Sequence, residues 1–285
     1  NRGGTGKRAA SFKDEDFIRK LFVANTHDTL LCFSSYGKVY WIKVYRLPRG
    51  GRNAKGRPIV NLLPLEKDER IQAVLPVKEF NDDQFIFMAT ESGSVKKTKL
   101  SAYSRPMKSG IKAIKLREGD RVVNAEITDG SKEIMLFSNS GKSIRFKETD
   151  ARPMGRVSQG VRGMRIEKDQ RIISLVVLEE GNILVATENG FGKQTLKDEF
   201  SIQKRGGKGV IAIQTSKRNG NLIGANQVRT GDEVMFISTT GNLIRTRTDD
   251  ISVIGRNTQG VRLIRLSEDD NLLGMEKVIS EDDEE

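Results

Sequence analysis

Cysteine and histidine are nearly absent from these 285 residues, with one of each, Cys32 and His27. One cysteine forms no internal disulfide, and one cysteine with one histidine cannot build a Cys/His metal site. Cys32 also lacks a second histidine to activate it. It lies in the apolar run Leu30-Leu31-Cys32-Phe33 and reads as core. His27 stands in the polar segment Asn25-Thr26-His27-Asp28 and reads as a surface turn residue rather than a general base. No apolar run is long enough to span a bilayer, and no basic amphipathic helix is present to lie on one. Asn1 to Ala10 are polar and basic, so no signal peptide is expected there. A reducing cytoplasm is the expected compartment. Aromatic residues make up only 6% of the chain, several of them in apolar runs, so stacking platforms for single-stranded nucleic acid are scarce.

Cations, by contrast, are abundant. Lys and Arg total 49 against 38 Asp and Glu, a net charge of +11. The closing run Glu281-Asp282-Asp283-Glu284-Glu285 is wholly acidic, which leaves +16 on the remainder. A body that basic calls for an anionic partner, and nucleic acid is the default. Residues 280–285 are expected to form an acidic tail that competes with phosphate for those cations.

Two glycine series repeat along the chain. The glycine after each apolar run falls at Gly37, Gly93, Gly141, Gly190 and Gly241. A glycine in a basic loop falls at Gly6, Gly56, Gly110, Gly160, Gly209 and Gly260. Both series have a period of about 50 residues, the length of a propeller blade. One repeat shows the layout. Glu133–Ser138 is an apolar strand, Asn139-Ser140-Gly141-Lys142 a hairpin turn, and Ser143–Lys147 a strand alternating Ile144 and Phe146 against Arg145 and Lys147. A basic loop follows, then an alternating strand Val161–Ile166, then a last strand Ile172–Val177. Four strands per repeat with little helical periodicity predict an all-β, propeller-like ring of four-stranded blades. At the ends, Leu272-Leu273-Gly274-Met275 resembles Leu222-Ile223-Gly224-Ala225, read as the opening strand of the previous unit, and Arg2-Gly3-Gly4-Thr5-Gly6 matches Arg205-Gly206-Gly207-Lys208-Gly209. The chain therefore starts and stops mid-repeat. Five complete units and a sixth shared between the ends are expected over residues 1–279, closing a ring without free sheet edges. A fragment of a longer protein is implied.

The fourth residue after each hairpin glycine is Trp41, Lys97, Arg145, Gln194 or Arg245, and the sixth is Lys43, Lys99, Lys147, Leu196 or Arg247. Alternation puts both on one strand face. Such recurrence predicts a basic belt for the phosphates of a curved duplex, with steep salt dependence. Without a recognition helix, sequence preference comes from DNA bendability, at a cost of about 1–6 kcal/mol per 20–30 bp. The densest cluster is Gln203-Lys204-Arg205-Gly206-Gly207-Lys208-Gly209, where glycines leave amides uncovered beside cations, as in an anion nest. It lacks the spacing and the Ser/Thr of a P-loop. Candidate DNA contacts are Gln203, Lys204, Arg205, Gly206, Gly207, Lys208 and Gly209, with Arg2, Gly3, Gly4, Arg52, Lys55 and Arg57. Further candidates are Lys97, Lys99, Lys112, Arg145, Lys147, Arg156, Arg162, Arg245, Arg247, Arg256 and Arg262. The acidic turns at Asp68, Asp120 and Asp169 recur with the repeat and read as turn chemistry rather than as catalytic or metal-binding carboxylates. No catalytic or metal-binding residue is assigned.

Gln203 to Gly209 resembles the Gln-Arg-Arg-Gly-Gly-Lys-Gly box of the C-terminal domain of DNA gyrase A subunits, with Lys204 in place of an arginine. The likeness extends over nearly the whole chain. It includes Asp14-Glu15-Asp16-Phe17-Ile18, Val23-Ala24-Asn25-Thr26-His27-Asp28, Gly56-Arg57-Pro58-Ile59-Val60-Asn61-Leu62-Leu63-Pro64-Leu65 and Gly255-Arg256-Asn257-Thr258-Gln259-Gly260-Val261. The resemblance implies a six-bladed β-pinwheel whose neighbouring blades exchange strands, wrapping duplex DNA around its rim. It implies a monomeric accessory domain that works with the rest of the A subunit, and with the B subunit, in an A2B2 enzyme. That enzyme introduces negative supercoils with ATP. The catalytic tyrosine, the ATPase and Mg2+ belong to other parts of it, so no cofactor and no enzymatic activity are expected here. In the family the box usually opens the domain. Here that place holds Asn1-Arg2-Gly3-Gly4-Thr5-Gly6, with Thr5 where the box has Lys, and both loops stand as candidates. The near alternative is the C-terminal domain of topoisomerase IV, in the subunit equivalent to gyrase A, though it usually lacks the box. A propeller scaffold for protein partners is an alternative of a different class.

Overall fold

The structure, a computed structural model, describes residues 24–49 and 61–278. Its strands follow the repeat. The first repeat supplies β1 (Thr29–Ser34), β2 (Lys38–Lys43) and β3 (Ile71–Val77), and the second β4 (Phe85–Thr90), β5 (Ser94–Lys99), β6 (Ile111–Lys112) and β7 (Val122–Thr128). The third supplies β8 (Glu133–Ser138), β9 (Lys142–Lys147), β10 (Val161–Arg162) and β11 (Ile172–Leu178). The fourth supplies β12 (Asn182–Thr187), β13 (Phe191–Thr195), β14 (Val210–Ile211) and β15 (Leu222–Val228). The fifth supplies β16 (Glu233–Ser238), β17 (Leu243–Arg247), β18 (Val261–Arg262) and β19 (Leu272–Val278). Apolar runs such as Ile134–Phe137 are buried on both faces, as a strand covered on either side requires.

Five sheets result among the described residues. Their strand orders are β3-β1-β2-β6, β10-β5-β4-β7, β11-β8-β9-β14, β15-β12-β13-β18 and β17-β16-β19. Two compact bodies contain them. Described residues of 22–130, with 151–161, form one, and 131–150 with those of 162–285 form the other. The first packs Leu31, Phe33, Ile86 and Met88 around Tyr103, whose ring meets Phe33 edge-on at 5.5 Å. In the second, Met135, Phe137 and Ile183 pack with Phe200, and Leu184, Val234 and Phe236 with Ile264. No helix of the described residues is long and apolar enough to cross a membrane.

The order of strands corrects the expected layout in two places. Alternation predicts Val161–Ile166 as a strand of its own repeat. Only Val161–Arg162 is strand, and it lies on the sheet of the preceding repeat, as do β6, β14 and β18. Leu272–Val278 does not open a sixth unit but completes the fifth sheet by pairing with β16. Its role there equals that of β15 beside β12. The expected sixth unit draws on residues 1–23, which lie outside the described residues, as does the acidic tail.

The exchanged strand has a physical cause. Gly141, at the hairpin between β8 and β9, offers its carbonyl to two amides, Ala212 N at 2.8 Å and Ile213 N at 3.1 Å. Val210 and Ile211 then pair with Ser143 and Lys142. Gly141 has φ +86°, and a Cβ on it would stand 2.2 Å from the Ile213 carbonyl oxygen. On the incoming side Gly209 has φ +75°, and its Cβ would stand 2.2 Å from the Ser143 carbonyl oxygen. The same double acceptance recurs at Gly37 with Ala113 and Ile114, and at Gly190 with Leu263 and Ile264. The two glycine series in the sequence are therefore the two sides of one junction. Gly141→Ala is expected to destabilise the domain by about 1–3 kcal/mol, the cost of a left-handed non-glycine residue, read as a lower urea midpoint.

Candidate nucleic-acid interface

The position four after the hairpin glycine ties repeats together. Trp41 donates from Nε1 to the Tyr103 carbonyl at 2.8 Å. Arg145 donates from Nη1 to the carbonyls of Phe200 at 2.9 Å and Lys197 at 3.2 Å. Gln194 donates from Nε2 to Thr248 and Ile251 carbonyls at 2.7 and 3.2 Å. Each acceptor group belongs to the short 3-10 turn of the next repeat or its end. What recurs is a planar N–H donor, and the charge is incidental. Arg145 is further held by Glu133, whose Oε2 accepts from Nη2 at 2.6 Å, and only 10% of its side chain is exposed. Lys97 is buried at 4%, with its ammonium 5.1 Å from the centre of the Phe85 ring. Both were expected on a basic belt, and neither faces solvent in that way. Arg245 is exposed and paired with Glu233.

Two positions later, Lys43, Lys99, Lys147 and Arg247 are exposed, as the alternation predicts, while Leu196 breaks the cationic series. Arg247 lies 3.5 Å from Asp249.

The basic loops divide their cations into two kinds. Lys112, Arg162, Lys204, Lys208 and Arg262 are exposed, and none pairs with a carboxylate among the described residues. Arg262 and Arg218 stand 5.1 and 4.9 Å from the centre of the Phe191 ring, two guanidinium groups on one aromatic. Arg156, Arg205 and Arg256 are half-buried and donate to backbone. Arg156 Nη1 reaches the Lys112 carbonyl and Arg256 Nη1 the Ile211 carbonyl, both at 2.6 Å. Arg205 donates from Nε to the Asp150 carbonyl at 3.1 Å and from Nη1 to the Arg162 carbonyl. Nor is the Gln203–Gly209 loop an open nest throughout. The Gly206 amide is taken by the Gly163 carbonyl at 2.8 Å, and the Gln203 amide by that of Arg145 at 2.7 Å. Gly207 lies over the Ile144 side chain, and Gly209 forms the close junction described above. Arg2, Gly3, Gly4, Arg52, Lys55 and Arg57 lie outside the described residues.

Outside the loops, His27 is exposed in its turn. Cys32 is wholly buried, and burial pushes its thiol up to about 12, so it is inert core. Asp120 accepts from the amide and hydroxyl of Ser92 at 3.0 and 2.5 Å, which braces the hairpin turn before Gly93.

The roles of Trp41, Arg218 and two buried lysines went unread in the sequence. Lys96 and Lys193 sit three residues after their hairpin glycines, where the third repeat has Ile144. Since Ile144 and Phe146 share the core face, the same alternation puts both lysines inside. Lys96 donates to the carbonyls of Ala113 and Arg156. Lys193 donates to those of Gly255 and Arg256 and to the Thr258 hydroxyl. Burial, with the Arg156 charge adding to it, lowers Lys96 to about 7. Burial lowers Lys193 to about 8, opposed by Glu199 and assisted by Arg256. A neutral amine still donates two hydrogen bonds, enough for the two carbonyls around Lys96. Between the folded value near 7 and the unfolded value near 10.4 the unfolded chain holds the extra proton, so stability rises with pH across that window. Lys96→Met is expected to lose this rise. It should also lose about 1–3 kcal/mol at all pH values from carbonyls left without a donor. Urea melts of both proteins from pH 6.5 to 9 check this.

The sequence matches the family described as DNA gyrase C-terminal domain, beta-propeller, over residues 1–25, 28–78, 84–129, 132–179, 181–229 and 232–279. It is 53% identical to the DNA gyrase A subunit of Salmonella typhimurium and 52% identical to that of Escherichia coli, over all 285 residues. The chain spans about a third of the length of those relatives (32% and 33%). A solved DNA gyrase A C-terminal domain superposes with a TM-score of 0.81 at 28% identity, covering 98% of this chain and 92% of that one. A solved C-terminal domain of DNA topoisomerase IV gives 0.84 at 27% identity, covering 95% and 85%. With the repeat, the exchanged strands and the exposed loop cations in agreement, this chain belongs to the DNA gyrase C-terminal domain family of β-propellers.

Proposed function

We propose that this chain binds, bends and wraps duplex DNA, largely without sequence specificity, as the C-terminal domain of the A subunit of a DNA gyrase. The observation that carries the reading is the set of exposed loop cations, Lys112, Arg162, Lys204, Lys208 and Arg262, repeating at the junctions with no carboxylate partner among the described residues. Phosphates along a curved duplex are the complementary ligand. The chain serves a type II topoisomerase that introduces negative supercoils with ATP. It works there beside the B subunit, with the rest of the A subunit, in an A2B2 enzyme of the cytoplasm. It carries no cleavage or ATPase chemistry of its own. Residues 1–279 form a six-bladed pinwheel in this reading, supported by the six matched segments, of which the first is 1–25. Residues 280–285 are its acidic tail.

The likeness to the topoisomerase IV domain favours the neighbouring enzyme as a second reading. The Gln203–Gly209 box and the whole-chain identity to gyrase A subunits weigh for gyrase.

Lys96 and Lys97 are unsuitable as surface controls for loop variants, because both are buried. Lys67 and Lys168, exposed in acidic turns and not among the candidate contacts, serve instead. Each neutralised phosphate contributes about 0.9 to the slope of log Kobs against log salt. Lys204→Ala with Lys208→Ala is expected to flatten that slope by about 1.8 for a duplex of about 150 bp, one persistence length. Wild-type binding that is absent or indifferent to salt would overturn the reading and point to a protein scaffold.

A further inference from the structure

Arginine recurs four residues before the loop glycine, as Arg156 before Gly160, Arg205 before Gly209 and Arg256 before Gly260. Its acceptor recurs too. Each Nη1 reaches the carbonyl two residues after the preceding loop glycine, namely Lys112 after Gly110, Arg162 after Gly160 and Ile211 after Gly209. A second bond joins the same loops. The amide five after one glycine donates to the carbonyl two before the next: Lys115 to Ser158 at 3.1 Å, Arg165 to Gly207 at 2.8 Å, and Gln214 to Thr258 at 2.8 Å. Consecutive loops are thus joined at two points, one of backbone and one of guanidinium, three times over. At Gly110 the same offset holds Pro106, which has no such donor.

We infer that Arg156, Arg205 and Arg256 are positioning residues that set the spacing of successive loops, and that they act on backbone carbonyls rather than on phosphate. The inference rests on the DNA-binding reading for its consequence, though not for its geometry. Two of the three acceptors, Lys112 and Arg162, carry exposed cationic side chains, so those two latches hold the backbone from which a candidate phosphate contact projects, while the third ends on Ile211. A guanidinium suits this task because its donors are fixed in one plane. Arg205 uses two of them on two carbonyls, Asp150 and Arg162. An ammonium keeps the charge but is a compact point charge without that fork. The box arginine therefore differs in kind from the lysines on either side of it. Arg205 fixes where Lys204 and Lys208 stand, and the lysines meet the phosphate.

Arg205→Lys and Arg156→Lys test this, because charge is conserved while the fork is lost. A solved relative of the same extent shows this domain as a separate chain, so the 285-residue chain is a fair test object. Two measurements are made. Amide exchange of the DNA-free domain is followed at Arg165 and Gly206 for Arg205→Lys, and at Lys115 for Arg156→Lys. Binding to the duplex of about 150 bp is then followed across a salt series, and bending is read separately as the linking-number shift of a nicked plasmid ligated with the protein bound. Exchange at the named amides should rise at least ten-fold while amides of β8 and β12 stay unchanged. The linking-number shift should fall at least two-fold, with the salt slope kept. Lys204→Ala should do the opposite, lowering the slope by about 0.9 and leaving exchange alone. Lysine variants that exchange and bend as wild type does, with Arg205→Ala flattening the slope by about 0.9, would make Arg205 a phosphate contact and overturn the inference. If Arg205→Lys fails to fold, Arg156→Lys carries the same test in the other body. A wild-type chain that binds no DNA sinks the proposed function, while the exchange arm still decides the latch.

Discussion

The carbonyl of the hairpin glycine is the group on which the rest of this structure depends. It accepts two amides from a segment that belongs to the next repeat, and so draws a two-residue strand out of its own sheet and onto its neighbour's. Backbone comes so close at this point that neither partner has room for a Cβ, as Gly141 and Gly209 show. Exchange of this kind joins repeats through backbone hydrogen bonds, which hold whatever the side chains are. The connecting segment must then run across from one sheet to the next, and that segment is the basic loop.

Carbonyls also govern the side chains around the loops. A loop that crosses between sheets leaves peptide oxygens outside any ladder, and a buried oxygen needs a donor. This protein supplies donors of several chemistries. Trp41, Arg145 and Gln194 fill one position, Lys96 and Lys193 another, and Arg156, Arg205 and Arg256 a third. Six of the 49 cations, Arg145, Lys96, Lys193, Arg156, Arg205 and Arg256, are therefore committed to carbonyls of the fold. The cations left for an anionic ligand are fewer than composition suggests, and they are held on backbone that those internal donors fix.

Much of the fold was legible because it is periodic. Apolar runs, hairpin glycines and loop glycines repeat about every 50 residues, and five sheets follow that repeat. Strand partners were less legible. Val161–Arg162 has the same local pattern whether it pairs within its own repeat or with the one before, since alternation encodes a face and not a neighbour. The site was legible in part for the same reason. Lys147 and Arg247 are exposed as alternation requires, whereas Arg145 obeys the same rule and is nevertheless folded over a 3-10 turn of the following repeat. Lys96 shares its offset from the hairpin glycine with Ile144, so alternation marks the position as buried although its residue is a lysine.

Fold class, repeat length, the glycines that mark the repeat and the family all follow from the chain read alone, because each is a local or periodic property. Which cations are free is a matter of tertiary contact. An arginine side chain carries the same charge and the same reach whether it ends on a carbonyl or in solvent. The outcome depends on whether a peptide oxygen from another repeat lies within about 3 Å of its guanidinium, and no spacing along the chain records that distance.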